Sequence, residues 1–154
     1  MNIEYNQLID RIIEHNSLDA IVCESEVPER APIFEGHFPG NPIIPGVILI
    51  EMMAQAGGYI HMLSKNFEEM AYLATVRSAK FRSFVTPNQV LTIRSKIAHH
   101  GDGYLICKAK IYDATGAVVA DSELMLKLQR FANEQMRSHI KNIALQAGWK
   151  GHDL

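Results

Sequence analysis

Residues 36–46 most constrain what this chain can fold into, because prolines and glycines make up six of these eleven residues. They are Gly36, Pro39, Gly40, Pro42, Pro45 and Gly46. Proline fixes φ and removes a backbone donor, so this density excludes a regular helix or strand. We therefore predict a rigid loop with a constrained path, which ends where Pro45 suits the first turn of a helix.

The segment after this loop, residues 47–63, is apolar on nearly every side and predicts a buried helix. Glu51 and Gln55 are its polar exceptions; at i and i+4 they share one face, which Gly58 continues. The run is long enough to span a bilayer, but a central carboxylate there would cost several kcal/mol. We expect no membrane span and, since the first residues do not resemble a signal peptide, a cytoplasmic protein.

Alternation of apolar and polar residues predicts strands around this helix. The expected strands cover residues 20–27, 71–84, 91–97, 105–111 and 124–128, with turns at 87–88, 99–103 and 113–116. The spacing also predicts a short amphipathic helix over residues 2–14 and a second over 131–147. A buried helix must be enclosed by something, so the sheet has to curl around it in an α+β architecture.

Charge is unevenly distributed along the chain. The net charge of -2 argues against a nucleic-acid partner. Residues 1–76 carry three basic and eleven acidic residues, whereas residues 77–110 carry seven basic residues and one acidic residue. The basic segment predicts either solvated strand faces or a surface for an acidic partner, and the pattern alone does not choose between them.

Two cysteines, Cys23 and Cys107, exclude a disulfide scaffold and a multi-cysteine zinc site. We expect both to be buried, reduced thiols. The H-E-x-x-H spacing is absent, so we predict no metal. The following histidines are expected to be structural or exposed: His61, His99, His100, His139 and His152.

His37 in the loop and Glu51 on the helix are the candidates for acid–base chemistry. Histidine is the usual general base near neutrality, and a buried carboxylate needs a partner or a proton. Together they suit an elimination, in which one group removes a proton from carbon and the other protonates the departing hydroxyl. Unpaired N–H groups at Gly46 would suit a carbonyl oxygen that gains negative charge. The alternative is structural: a satisfied loop histidine, and an acid bonded to Gln55 or to backbone.

The run Phe34–Gln55 reads FEGHFPGNPIIPGVILIEMMAQ and resembles the signature GHFPGxPxxPGVxxxExxAQ of FabZ-type 3-hydroxyacyl-[acyl-carrier-protein] dehydratases, with every fixed position present. Weaker similarity continues from Tyr72 to about Leu128. The resemblance implies a hotdog fold, in which a long central helix is wrapped by a curled antiparallel β-sheet. A single hotdog domain is then expected over residues 1–130, with a C-terminal helical extension over 131–154 packed on it.

The resemblance also implies an activity: reversible dehydration of (3R)-3-hydroxyacyl thioesters of acyl carrier protein to trans-2-enoyl thioesters, in fatty-acid biosynthesis and without a cofactor. By position, His37 would remove the C2 proton, and Glu51 from the other subunit would protonate the departing C3 hydroxyl. The amide of Gly46 would hold the thioester carbonyl, and Gln55 would orient Glu51.

Three further residues are implied as substrate-binding positions: Phe38, Val47 and Tyr72. Tyr72 matches an aromatic residue that gates the acyl tunnel in some relatives. The peptide between His37 and Phe38 is expected to be cis, as in related loops.

The partners implied by the resemblance are an acyl carrier protein with its acyl chain on 4′-phosphopantetheine and a second copy of the chain. The expected homodimer shares its active sites between subunits, with a trimer of dimers as a larger alternative. Because carrier proteins are acidic, the basic segment gains a docking role. The docking candidates are Arg77, Lys80, Arg82, Arg94 and Lys96.

Two departures from the housekeeping pattern point to a specialised branch. The Pro-His-Arg-Pro-type element near the first strand is replaced by His15–Asp19, and the tail after residue 130 runs past the usual end. Together with Glu4–Arg11, these features resemble the branch that serves the very-long-chain acyl group of lipid A. The rival functions are a hotdog thioesterase or CoA hydratase, and a non-catalytic acyl-carrier-binding subunit. Chain-length preference stays open.

Overall fold

The computed structural model describes residues 1–151. Its elements are β1 (Arg11–Asn16), β2 (Ala20–Glu26), α1 (Ile33–Gly36), α2 (Gly46–Ser64), β3 (Glu69–Phe81), β4 (Val90–His100), β5 (Tyr104–Tyr112), β6 (Val118–Arg130) and α3 (Glu134–Gln146). His152 and the last two residues of the expected C-terminal extension lie outside the described residues.

The six strands form one antiparallel sheet in the order β1-β2-β4-β5-β6-β3, so β1 and β3 are its edges. Its inner face packs on α2, which contacts β2 to β6. The alternation expected from the sequence sets this face: in β5, Leu105, Cys107 and Ile111 are fully buried, while the lysines between them are exposed. The α+β hotdog architecture is thereby confirmed.

Helix α2 begins directly after the proline-rich loop, with Pro45 as its N-cap. Its largest side chains fill the core, and Met52, Met53, Ile60 and Leu63 are completely buried. After Ser64 the chain turns through Asn66 and Phe67, whose φ angles are 47° and 59°. Among residues 1–151, α2 has the length and apolar composition of a membrane span, but 67% of its most apolar window is buried inside the fold.

The amphipathic helix expected over residues 2–14 is wrong. Residues 2–7 form a tight turn closed by a bridge between Asn2 and Gln7, and β1 starts at Arg11. Leu8 and Ile9 are buried, as the prediction expected of its apolar positions, but they lie in a segment that is not helical. A short isolated helix is marginal in water, and pairing with β2 satisfies this backbone through the sheet instead.

The hairpin turn expected at residues 99–103 is shorter than predicted. His99 and His100 are the last residues of β4, in register with Ile106 and Leu105 of β5. The turn is closed by a hydrogen bond from Gly101 N to Tyr104 O (2.9 Å). The Gly and Asp residues therefore locate the turn, and the two preceding histidines lengthen the strand.

The C-terminal helix α3 packs on the same domain. Asn133 caps it, since its side-chain oxygen accepts a hydrogen bond from Met136 N (2.8 Å). Ala144 is fully buried, and the Trp149 ring that follows packs edge-on against Phe67, with ring centroids 5.2 Å apart. Helix α3 therefore covers the end of α2 rather than extending into solvent.

Both cysteines are buried free thiols in the core, as expected. Burial raises the pKa of Cys23 to about 12 and that of Cys107 to about 11. Since a thiolate is the reactive form, these thiols are chemically inert at neutral pH.

Candidate active site

His37 is the first residue after the short helix α1, and its ring is fixed by the rigid loop. Its Nδ1 lies 2.9 Å from the Ile43 carbonyl oxygen, and Ile43 N donates back to His37 O (3.0 Å). A carbonyl only accepts, so Nδ1 must carry the proton, which leaves Nε2 as the basic nitrogen. The Phe38 ring stacks on the imidazole at 4.3 Å, and the peptide joining them is cis.

Glu51 lies on the second turn of α2, where two side chains hold one of its carboxylate oxygens. Oε1 accepts hydrogen bonds from Asn6 Nδ2 (3.0 Å) and from Gln55 Nε2 (3.1 Å). Within residues 1–151 both hydrogen bonds to this carboxylate fall on Oε1. The carboxyl plane is thereby oriented, and Oε2 is the oxygen available to a substrate.

Gln55 is itself fixed by the backbone of the N-terminal segment. Its Nε2 also donates to Asn6 O (2.7 Å), and its Oε1 accepts from Leu8 N (3.1 Å). The i, i+4 pairing of Gln55 with Glu51 is the one that the sequence predicted. Residues 6–8 and one face of α2 therefore form a single hydrogen-bonded unit.

A cavity of about 390 Å³ opens beside this unit. Glu51, Gln55 and Tyr72 line it, so three of the candidate residues share one space. The N-terminal segment lines it with Tyr5, Asn6 and Gln7, and the rest of its wall is mainly apolar. The apolar lining includes Ala54, Gly58, Tyr59, Met62, Met70, Leu73, Ile140 and Ile143. Such a cavity can hold an apolar chain, with the Glu51 carboxyl group at one point of the cavity wall.

The other candidate residues, His37, Phe38, Gly46 and Val47, are not among the residues that line this cavity. Gly46 and Val47 are the first residues of α2, where the amides have no intrahelical carbonyl partner. A Cβ on Gly46 would lie 3.0 Å from two carbons of the Phe81 ring, so a larger residue here would have to displace that half-exposed ring by a few tenths of an ångström. In the single chain, Glu51 and His37 therefore do not line one cavity.

The docking candidates differ in how their charges are paired. Arg77 and Arg82 are ion-paired, with Glu123 at 3.3 Å and with Asp121 at 2.7 Å. Arg94 and Lys96 point away from α2, in register with Lys110 and Lys108 on β5. Lys80, on β3, is exposed beside Asp121. Lys108 also pairs with Glu123 at 3.8 Å, and Lys110 is in register with Asp121, so this side of the sheet carries charges of both signs.

Asn6 is the residue that sequence reasoning missed. It donates to the carboxylate of Glu51 although the two lie 45 positions apart. Its φ of 54° turns the chain at this point. No local pattern could have found it, because the contact exists only after the N-terminal segment folds over α2.

Within residues 1–151 no three His, Cys, Asp or Glu side chains are grouped closely enough to hold a metal ion.

Comparison with known proteins identifies the family of this chain. The family model described as "ApeI-like: ApeI dehydratase" matches residues 13–122. A 3-hydroxyacyl-[acyl-carrier-protein] dehydratase FabZ from Nitratiruptor sp. is 37% identical over 124 residues, which cover 76% of this chain and 83% of that protein. The bifunctional enzyme LpxC/FabZ of Chlorobaculum tepidum is 35% identical over 128 residues, or 82% of this chain and 27% of that enzyme.

Solved structures share the fold. The dehydratase heterocomplex ApeI:P from Xenorhabdus doucetiae has a TM-score of 0.59 at 15% identity, covering 75% of this chain and 96% of that chain. A hypothetical thioesterase with coenzyme A from Streptococcus pneumoniae has a TM-score of 0.61 at 15% identity, covering 80% and 88%. At these identities the likeness concerns the fold alone. The family model and the curated relatives carry the assignment: the chain belongs to the family of ApeI-like and FabZ-type 3-hydroxyacyl-[acyl-carrier-protein] dehydratases.

Proposed function

We propose that this chain interconverts (3R)-3-hydroxyacyl and trans-2-enoyl thioesters of acyl carrier protein by the His37–Glu51 pair. The observation that carries the proposal is the oriented Glu51 carboxyl, held through Oε1 at the wall of a mainly apolar cavity. His37 complements it with a tautomer that leaves Nε2 free to accept a proton.

The reaction follows from these groups. His37 Nε2 takes the C2 proton, and the negative charge that develops on the thioester oxygen is held by the N–H of Gly46 at the start of α2. The C3–O bond then breaks, and Glu51 gives its proton from Oε2 to the departing hydroxyl. The products are water and the trans-2 double bond, and the reverse sequence hydrates the enoyl thioester.

We propose that a second copy of the chain completes the site. Glu51 and His37 do not line one cavity in the single chain. Around the loop and the start of α2, Phe38 is 49% exposed, Val47 70% and Phe84 80%, an apolar surface that a partner would cover. The edge strand β3 is also exposed from Leu73 to Ser78, so its free backbone groups suit pairing with a second copy.

Shared sites can be tested by mixing two inactive variants. His37→Ala and Glu51→Gln homodimers would each lack one group at every site. Subunit exchange between them would rebuild some sites with both native residues, so activity should reappear on mixing. Mixed samples that exchange subunits and stay inactive would show that each site draws both residues from one chain.

The acyl carrier protein is the proposed source of the substrate, and the basic residues are its proposed docking surface. Arg94→Glu with Lys96→Glu should raise KM for a carrier-bound substrate and leave KM for the pantetheine form unchanged, because the carrier brings an acidic surface and crotonoyl-pantetheine carries no charge. Reversing Arg77 would also break its ion pair with Glu123, so Arg94 and Lys96 make the cleaner test. Equal KM changes for both substrates would count against docking there.

Three finer assignments belong to this proposal. The compartment is the cytoplasm, which fits two free buried thiols in a reduced state. The branch that serves the acyl groups of lipid A is the second assignment, which the extension past residue 130 supports because the housekeeping pattern lacks it, and the accepted chain length is the quantity to be measured. A trimer of dimers is the larger assembly to be measured by light scattering.

The decisive experiment is turnover of a crotonoyl thioester on both carrier protein and CoA. Hydration to the 3-hydroxy product on the carrier form, lost in His37→Ala, is the expected result. Release of free thiol instead would identify a thioesterase, and equal turnover of the CoA form would identify a CoA hydratase. Binding of the carrier without any turnover would identify a non-catalytic subunit.

A further inference from the structure

The cavity beside Glu51 continues along α2 well beyond the reacting carboxyl. Gly58 and Met62 lie seven and eleven residues further along the helix on the same side, and both line the cavity. At 1.5 Å per residue, Met62 is ~16 Å from Glu51 along the helix axis. A volume of about 390 Å³ also falls in the range of ~300–1,000 Å³ that holds drug-sized ligands. The cavity is therefore far longer than a four-carbon acyl group.

Helix α3 supplies part of the wall of this cavity through His139, Ile140 and Ile143. Ile140 and Ile143 are three residues apart, so they present one apolar face. Each is half-buried, while Leu145 on the same helix is 43% exposed and lies outside the cavity. The apolar face of α3 is thus directed at the space that an acyl chain would occupy.

Fixed contacts place the Ile140 side of this wall toward the end of α2 that is remote from Glu51. Arg137 donates from Nε to Phe67 O (2.8 Å) and from Nη2 to Asn66 O (3.2 Å), and Lys141 Nζ donates to Asn66 Oδ1 (3.0 Å). Asn66 and Phe67 follow the last turn of α2. Arg137 and Lys141 flank Ile140 in the chain, so Ile140 is held near this remote end.

The other end of α3 is fastened as well. Ile12 N, on β1, donates to Ala147 O (2.8 Å), and Ala144 is fully buried. A helix held at both ends cannot swing away from the cavity without breaking these contacts. Its apolar face therefore acts as a fixed wall.

We propose that the Ile140–Ile143 face of α3 is the distal wall of the acyl-binding cavity and limits the length of the acyl chain that the enzyme accepts. The proposal rests on the proposed function, since it takes the cavity beside Glu51 as the acyl site. The ligand is a saturated, apolar acyl chain whose first carbons lie at Glu51 and whose end reaches α3.

Chain-length kinetics test the wall. Wild type, Ile140→Phe and Ile140→Ala are compared on enoyl thioesters of increasing acyl length on the same carrier protein, with Leu145→Phe as the matched control. Ile140→Phe adds bulk at the remote end of the cavity, so kcat/KM for the longest accepted chains should fall roughly tenfold or more relative to kcat/KM for the crotonoyl thioester. Ile140→Ala should extend the accepted length, and Leu145→Phe should leave the dependence on chain length unchanged.

Equal changes in kcat/KM at all chain lengths would contradict the proposed distal wall and leave the dehydratase assignment intact. Calorimetric binding of dodecanoyl-pantetheine and butyryl-pantetheine gives a readout that does not need turnover. Ile140→Phe should weaken dodecanoyl binding roughly tenfold relative to butyryl binding. Unchanged dodecanoyl binding would overturn the wall, whereas failure of the proposed function would show as absent hydration in wild type.

Discussion

The loop–helix segment, residues 34–55, and the two terminal segments, residues 1–10 and 134–149, reach the same cavity by different means. The first holds the groups assigned to chemistry, His37 and Glu51, in a rigid loop and on a buried helix. The terminal segments contribute position and shape: Asn6 holds the carboxylate, and α3 lines the apolar wall. Chemistry that needs particular side chains at fixed spacing is readable locally, whereas a wall requires only apolar surface in the right place.

The largest effect expected from either region comes from the loop–helix segment. Glu51→Gln keeps the shape of the side chain and an oxygen for Asn6, but it removes the proton that protonates the leaving hydroxyl. We expect kcat to fall ~10²- to 10⁴-fold, the usual contribution of a general acid. Thermal unfolding should be almost unchanged. The matched control is Glu35→Gln, an exposed acid in the same segment, which should keep full activity.

A smaller effect is expected at the N-terminal segment. Asn6→Gly keeps the positive φ of 54° and removes only the donor to Glu51. Loss of one such hydrogen bond is worth about 0.5–1.5 kcal/mol, so kcat should fall roughly threefold to tenfold with KM little changed. Asn2→Gly, in the same turn, is the control. If KM changed and kcat did not, Asn6 would shape the entrance rather than position the acid.

The C-terminal segment should affect stability before chemistry. Arg137→Met removes the two hydrogen bonds to Phe67 O and Asn66 O, which should lower the free energy of unfolding by about 1 kcal/mol. For a chain of this size that corresponds to a decrease in Tm of roughly 2–4 °C. Crotonoyl turnover at 25 °C should be retained. Exposed Arg130→Met is the control. A large loss of crotonoyl turnover in Arg137→Met would contradict the assignment of chemistry to the loop–helix segment alone.

The smallest expected effect is on the pH dependence of stability. It comes from His61, near the end of α2 and outside both regions. Burial lowers the pKa of His61 below its ordinary value of 6.5, although Glu69, 3.1 Å from its Nε2, acts in the opposite direction. As pH falls below 6.5, the unfolded chain therefore takes up the proton first, and stability declines toward the folded pKa. In His61→Gln this part of the decline should be absent in denaturant titrations at pH 5 to 7. Exposed His139→Gln should keep it.

Local patterns identified the parts of the fold whose residues act on their neighbours in sequence. The proline- and glycine-rich loop, the start of α2 after Pro45 and the i, i+4 pair of Glu51 and Gln55 were all predicted, since each depends on a few consecutive residues. The helix expected over residues 2–14 was wrong for the opposite reason. Its apolar residues correctly indicated that Leu8 and Ile9 are buried. The conformation of this part of the chain, however, depends on pairing with β2, which is distant from residues 8 and 9 in sequence.

The sequence by itself determined the family, the enclosed helix and the candidates for the acid and the base, because these residues lie in one continuous run with fixed spacing. Only the tertiary structure decided what surrounds the acid. Asn6 contacts Glu51 across 45 positions, and Ile143 lines the cavity of Gly58 from the far end of the chain. Burial of apolar surface is non-directional, so it fixes which residues go inside but leaves the choice of neighbours to the assembled fold.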